Sequence, residues 1–63
     1  MTFKIDIWKE TGKWYTGYEY EFKDVAEFDG YMESFCHHKG MTATTYHWDE
    51  LNRYFQPYRS YKL

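Results

Sequence analysis

Cysteine is all but missing from this chain: Cys36 is the only one in 63 residues. No intramolecular disulfide can form, which excludes a stapled secreted mini-protein and favours a reducing, cytoplasmic setting. Proline is equally scarce, with Pro57 alone, and the four glycines leave few built-in breaks. No apolar run is long enough to span a bilayer. The first residues, Met1-Thr2-Phe3-Lys4-Ile5-Asp6, carry an acid where a signal peptide needs an apolar core. Strong charge of one sign is also lacking. The formal net charge is −2 and the pI is near 5.8, a balance that disfavours nucleic acid as a partner. There is no Gly-rich phosphate loop, no HExxH and no GxSxG. These absences describe one cytoplasmic domain over residues 1–63, without linker, repeat or membrane span.

Aromatic side chains fill the gap: eight Tyr, five Phe and three Trp. Each can bury about 150–250 Å², so a few of them build a core in a chain too short for many aliphatics. There are too many for one small core, and the remainder must lie at the surface.

Their spacing predicts the elements. Phe3, Ile5 and Ile7 alternate with Lys4, Asp6 and Trp8, the period of a half-buried strand. In Lys13–Phe22, Trp14, Thr16, Tyr18, Tyr20 and Phe22 fall on one face, and Lys13, Tyr15, Gly17, Glu19 and Glu21 on the other. A two-residue turn at Thr11-Gly12 would join the strands, pairing Ile7 with Thr16, Ile5 with Tyr18 and Phe3 with Tyr20. The opposite face would pair Trp8 with Tyr15 and Lys4 with Glu19.

Asp24 followed by Glu27 reads as a capping box opening a helix. Val25, Phe28, Met32, Phe35 and Cys36 form its apolar stripe. The helix is expected over about residues 25–38, with Gly40 just beyond its end. Met41–His47 is Thr-rich and reads as a third strand, placed at an edge. Leu51, Tyr54, Phe55 and Tyr58 recur at helical spacing and predict a short second helix, which Pro57 closes. The tail from Tyr58 alternates and suits a last short strand or a surface segment. The expected fold is α+β: an N-terminal β-hairpin, one amphipathic helix across the sheet, a third strand and a short C-terminal helix, in the order ββαβα.

Four chemistries can be weighed. Cys36, His37, His38, His47 and Asp49 are metal-ligand types, but consecutive helical residues spread around the helix and cannot share one ion. Cys36 on an apolar stripe is a poor nucleophile. No metal, no cofactor and no catalytic group is expected. Arg53, Arg59 and Lys62 among Tyr54, Tyr58 and Tyr61 form a basic-aromatic tail, and single-stranded nucleic acid bound there is the second reading.

Protein binding is the first reading, because Tyr and Trp are enriched at interface hot spots. One candidate surface is aromatic, with Trp8 and Tyr15. The other is acidic: Glu19, Glu21, Asp24, Glu27, Asp29 and Glu33 against Lys23 alone, with Glu27, Asp29 and Glu33 as its contact residues. The expected partner is a larger protein, and an exposed strand edge would also allow a homodimer. In size and composition the chain is similar to small phage-encoded proteins that modulate or inhibit a host factor. That likeness carries no motif and transfers no site.

Overall fold

The alternation of Phe3, Ile5 and Ile7 makes the strand on which the molecule is built. A computed structural model describes all 63 residues as β1 (Thr2–Trp8), β2 (Trp14–Glu21), α1 (Val25–Glu33), β3 (Thr42–Asp49) and β4 (Tyr54–Lys62). The strands form one antiparallel sheet in the order β2-β1-β3-β4, and α1 packs on one face of it. The fold is α+β, in the order ββαββ and not ββαβα. β3, expected at an edge, lies inside the sheet between β1 and β4. No helix is long and apolar enough to cross a membrane.

Between sheet and helix sits a core of few, large side chains. Phe3, Ile5, Ile7, Phe28 and Ala43 are fully buried. The Phe3 and Phe28 rings lie nearly parallel with centroids 3.9 Å apart, and Phe22 and Tyr58 meet them edge-on. Offset and edge-to-face aromatic packing adds about 0.5–1.5 kcal/mol per pair beyond simple burial.

The first hairpin follows the expected register over most of its length, with Phe3, Ile5 and Ile7 opposite Tyr20, Tyr18 and Thr16. Its turn does not. The Gly12 N–H donates to the Lys9 carbonyl and the Lys9 N–H to that of Lys13, so Glu10, Thr11 and Gly12 form a three-residue loop. Gly12 takes φ +87°, the left-handed position such a loop requires. The extra loop residue brings Trp14, not Tyr15, opposite Trp8. Tyr15 is displaced into a bulge, and the alternation is restored at Thr16. The Tyr15 ring therefore turns to the helix side, where its centroid lies 5.5 Å from that of His38.

Asp24 caps α1 as expected. Its carboxylate accepts from the Glu27 N–H, and Glu27 reaches back to the Lys23 N–H. The helix ends at Glu33, short of residue 38. Ser34 closes it: its N–H bonds the Gly30 carbonyl, and its hydroxyl lies 3.2 Å from the carbonyl oxygens of Gly30 and Tyr31. The apolar stripe is correspondingly shorter. Phe28 and Met32 are buried, whereas Cys36 is exposed in the following loop.

The segment read as a second helix is a hairpin. Asp49 Oδ1 accepts the N–H groups of Leu51 and Asn52, and Arg53 at φ +58° turns the chain into β4. Leu51, the first residue of the apparent helical pattern, is 89% exposed in that turn. Pro57 is accommodated because β4 is an edge strand, and the pairing shifts register just after it. Buried Thr45 mends the ladder at this irregularity, its hydroxyl donating to the Arg59 carbonyl and accepting from the Arg59 N–H.

Candidate functional site

The helix covers one face of the sheet and leaves the other open. Strand alternation assigns the open face. With odd-numbered β1 residues in the core, Lys4, Asp6 and Trp8 point away from it, as do their neighbours across the ladders. All three tryptophans lie on this face, with Tyr46 and Phe55. Trp8 stands opposite Trp14 at one end, and Trp48 opposite Phe55 at the other, their rings 5.1 Å apart and edge-on.

Polar neighbours hold these rings in place. Trp8 Nε1 donates to Thr44 Oγ1 at 2.8 Å, and Thr44 Oγ1 lies 3.3 Å from the Tyr46 hydroxyl. Trp14 Nε1 donates to Asp6 Oδ1 at 3.1 Å. The Trp14 ring reaches Asp6 by lying across Gly17, where a Cβ would come within 3.3 Å of the ring and 3.1 Å of Asp6 Oδ1. Gly17 is thus the seat of this indole, which stays 56% exposed.

Asp6 is only 8% exposed and also faces Lys4 Nζ at 3.8 Å. The Lys4 ammonium sits over the Tyr46 and Phe55 rings, 5.5 and 5.7 Å from their centroids. It is drawn toward β3 and β4, away from Glu19, its direct neighbour on β2. Glu19 is left with no ionic or hydrogen-bond partner.

Three shallow clefts indent the face. One of about 520 Å³ is bounded by Trp8, Glu10, Thr42 and Lys62. One of about 410 Å³ lies between Lys4, Asp6, Trp14 and Glu19, and one of about 260 Å³ beside Trp48 and Phe55. The arrangement can stack flat groups, take up hydrogen bonds and bind cations.

Of the contact residues the sequence points to, Trp8 lies on this face and Tyr15 does not. The helix acids are differently employed. Glu27 serves the cap, and Asp29 accepts the Tyr58 hydroxyl at 2.9 Å and faces Arg59 at 3.9 Å. That bond to Asp29 holds the Tyr58 phenol above the usual tyrosine range. Only Glu33 is exposed and unpartnered. The basic tail is dispersed: Arg53 lies in the turn, Arg59 beside the helix, and Lys62 on the open face. Its Tyr58 and Tyr61 pack against the core.

The metal-ligand types are scattered too. His38 Nε2 bonds the Tyr18 hydroxyl at 2.6 Å, His47 packs by Phe3 and Tyr58, and no three His, Cys, Asp or Glu side chains gather to hold an ion.

Gly17 lies on the face that the strand alternation gave it, whereas Trp14, Tyr46, Trp48 and Phe55 are the site residues that sequence reasoning missed. Thr42, Thr44, Tyr46 and Trp48 do alternate along β3, but reading Phe55 as part of a second helix hid the Trp48–Phe55 pair. Compared with protein-family models, with curated proteins and with solved structures, the chain matches none of them.

Proposed function

We propose that this chain is a non-enzymatic protein-binding module that modulates a larger protein through the open face of its sheet. One observation carries the reading. All three tryptophans, with Tyr46 and Phe55, share the single sheet face that no part of the chain covers. Trp and Tyr are residues from which interface hot spots are built. Here Trp8, Trp14, Tyr46 and Phe55 are tethered before any partner arrives, by Thr44, by Asp6 and by the Lys4 ammonium, and Trp48 packs edge-on against Phe55. Side chains already fixed lose less freedom on binding, which favours affinity. The acidic helix has less to offer, because Glu27 and Asp29 are engaged within the molecule.

The test is affinity capture from the native host, comparing three forms of the full chain. The wild type and Glu33→Lys are expected to retain the same protein, and the double variant Trp14→Ala/Trp48→Ala to lose it while keeping its circular dichroism spectrum. Retention by the tryptophan variant and loss by Glu33→Lys would assign binding to the helix instead.

A further inference from the structure

We infer that the outer edge of β2 is a docking site for an extended, basic segment of the partner, which joins the sheet as a fifth strand. This rests on the protein-binding reading and gives the partner a chemistry.

The two sheet edges differ. β4 is guarded: Pro57 has no N–H to offer, and the register shift after it breaks the run. β2 has no proline, and its own bulge, at Tyr15, lies at the turn end and leaves Thr16–Glu21 regular. Met1 and Phe22 exchange both backbone hydrogen bonds at the start of the β1–β2 ladder. Antiparallel alternation then turns the N–H and C=O groups of Glu21, Glu19 and Gly17 away from β1. No side chain or loop takes them up. They form a row of main-chain donors and acceptors of the kind that strand addition uses.

Charge selects the occupant. On the open-face side, this edge carries Glu19 and Glu21. The Thr2 hydroxyl donates to Glu21 at 2.6 Å and the N-terminal ammonium lies 3.6 Å away, an arrangement that favours the ionised carboxylate. Glu19 is unpaired because Lys4 is turned toward Asp6, Tyr46 and Phe55. A second copy laid antiparallel along β2 would bring four carboxylates to one seam, which disfavours self-pairing. A strand with Lys or Arg on that side meets them instead. On the helix side, Tyr18 and Tyr20 stack with centroids 5.9 Å apart, and Tyr20 is exposed. They offer an apolar seat to the alternate residues. Trp14, held over Gly17 at the end of the acidic row, presents a ring face to a further cation. The partner segment is therefore extended, with basic residues alternating with aliphatic or aromatic ones.

The test titrates the isotope-labelled full chain with a capped peptide alternating arginine and valine, read by amide shifts and calorimetry. Two control peptides carry glutamate for arginine, or N-methyl groups on the amides that face β2. The parent peptide should shift the amides of Gly17, Glu19 and Glu21, and bind at least about tenfold more weakly when salt is raised from about 0.05 to about 0.5 M. Both control peptides should lose at least about tenfold, as should the variant Glu19→Lys/Glu21→Lys.

Leu51→Ala, in the exposed turn between β3 and β4, should bind the peptide within about twofold of wild type. Equal binding of the N-methylated peptide would reduce the effect to charge and overturn strand addition. So would failure of the parent peptide to bind, or a dimeric solution mass with these amides protected from exchange. If the peptide fails while Trp14→Ala/Trp48→Ala still loses the natural partner, the edge inference falls and the open-face reading stands.

Discussion

Both faces of this sheet are aromatic, and they are differently restrained. On the covered face, Phe3 and Phe28 stack and nothing polar is needed to place them. On the open face each tryptophan or its neighbour is tied by a hydrogen bond or a cation, to Thr44, Asp6 or Lys4. Packing holds the first set and tethering the second. A ring held by packing leaves a void when removed, whereas water fills the space left by a tethered one. A surplus of aromatics in a small chain therefore need not be a larger core.

The sharpest way to break this comparison is to remove one ring from each face. Phe28→Ala should cost about 3–5 kcal/mol. A domain of this size has roughly 3–9 kcal/mol in all, so the variant should lose about a third or more of its stability by urea denaturation. Trp14→Phe removes the hydrogen bond to Asp6 and should cost about 0.5–1.5 kcal/mol by urea denaturation. Asp6 keeps Lys4 as a neighbour in that variant, which limits the loss. A cost for Trp14→Phe equal to that of Phe28→Ala would make the open face a second core and remove the argument for a binding surface.

Gly17→Ala is smaller and sharpens the same contrast. A methyl group there comes within 3.1 Å of Asp6 Oδ1 and 3.3 Å of the Trp14 ring, so the indole must lift. Against this, alanine restricts the unfolded chain and stabilises by about 0.4–1 kcal/mol. The net change in stability should stay within about 0.5 kcal/mol. Acrylamide quenching of tryptophan fluorescence should rise as Trp14 is released. Unchanged quenching would show that Gly17 does not seat the ring.

The covered face was legible in the sequence because one strong period governs it. Phe3, Ile5 and Ile7 place their partners Tyr20, Tyr18 and Thr16 without help from the turn. The Asp24 cap was legible for a similar reason, being a local exchange between Asp24 and Glu27. The open face was hidden by small local choices with large consequences. One added loop residue at Glu10 exchanged Tyr15 for Trp14 opposite Trp8. Ser34 ended the helix early and exposed Cys36. At Leu51–Tyr58, helical spacing coincided with a turn followed by a strand, and the Asx turn at Asp49 decided for the hairpin. In each case a single hydrogen-bonding residue overrode an apolar pattern.

The smallest expected effect is on pH dependence, and it belongs to the covered face. Three phenols on the covered side titrate above the usual tyrosine range: Tyr31 and Tyr61 chiefly through burial, and Tyr58 chiefly through its bond to Asp29. Each holds its proton more tightly in the folded than in the unfolded chain. Their contribution is fully present below the unfolded value of about 10 and is lost as pH rises through the folded values. The urea midpoint should therefore be level as pH approaches 10 and fall beyond it. Tyr58→Phe should lower the midpoint at neutral pH, because Asp29 loses its donor, and should also flatten the alkaline fall. If Tyr58→Phe left the alkaline fall as steep as in the wild type, the bond to Asp29 would not be what holds that proton, and the fall would belong to Tyr31 and Tyr61 alone.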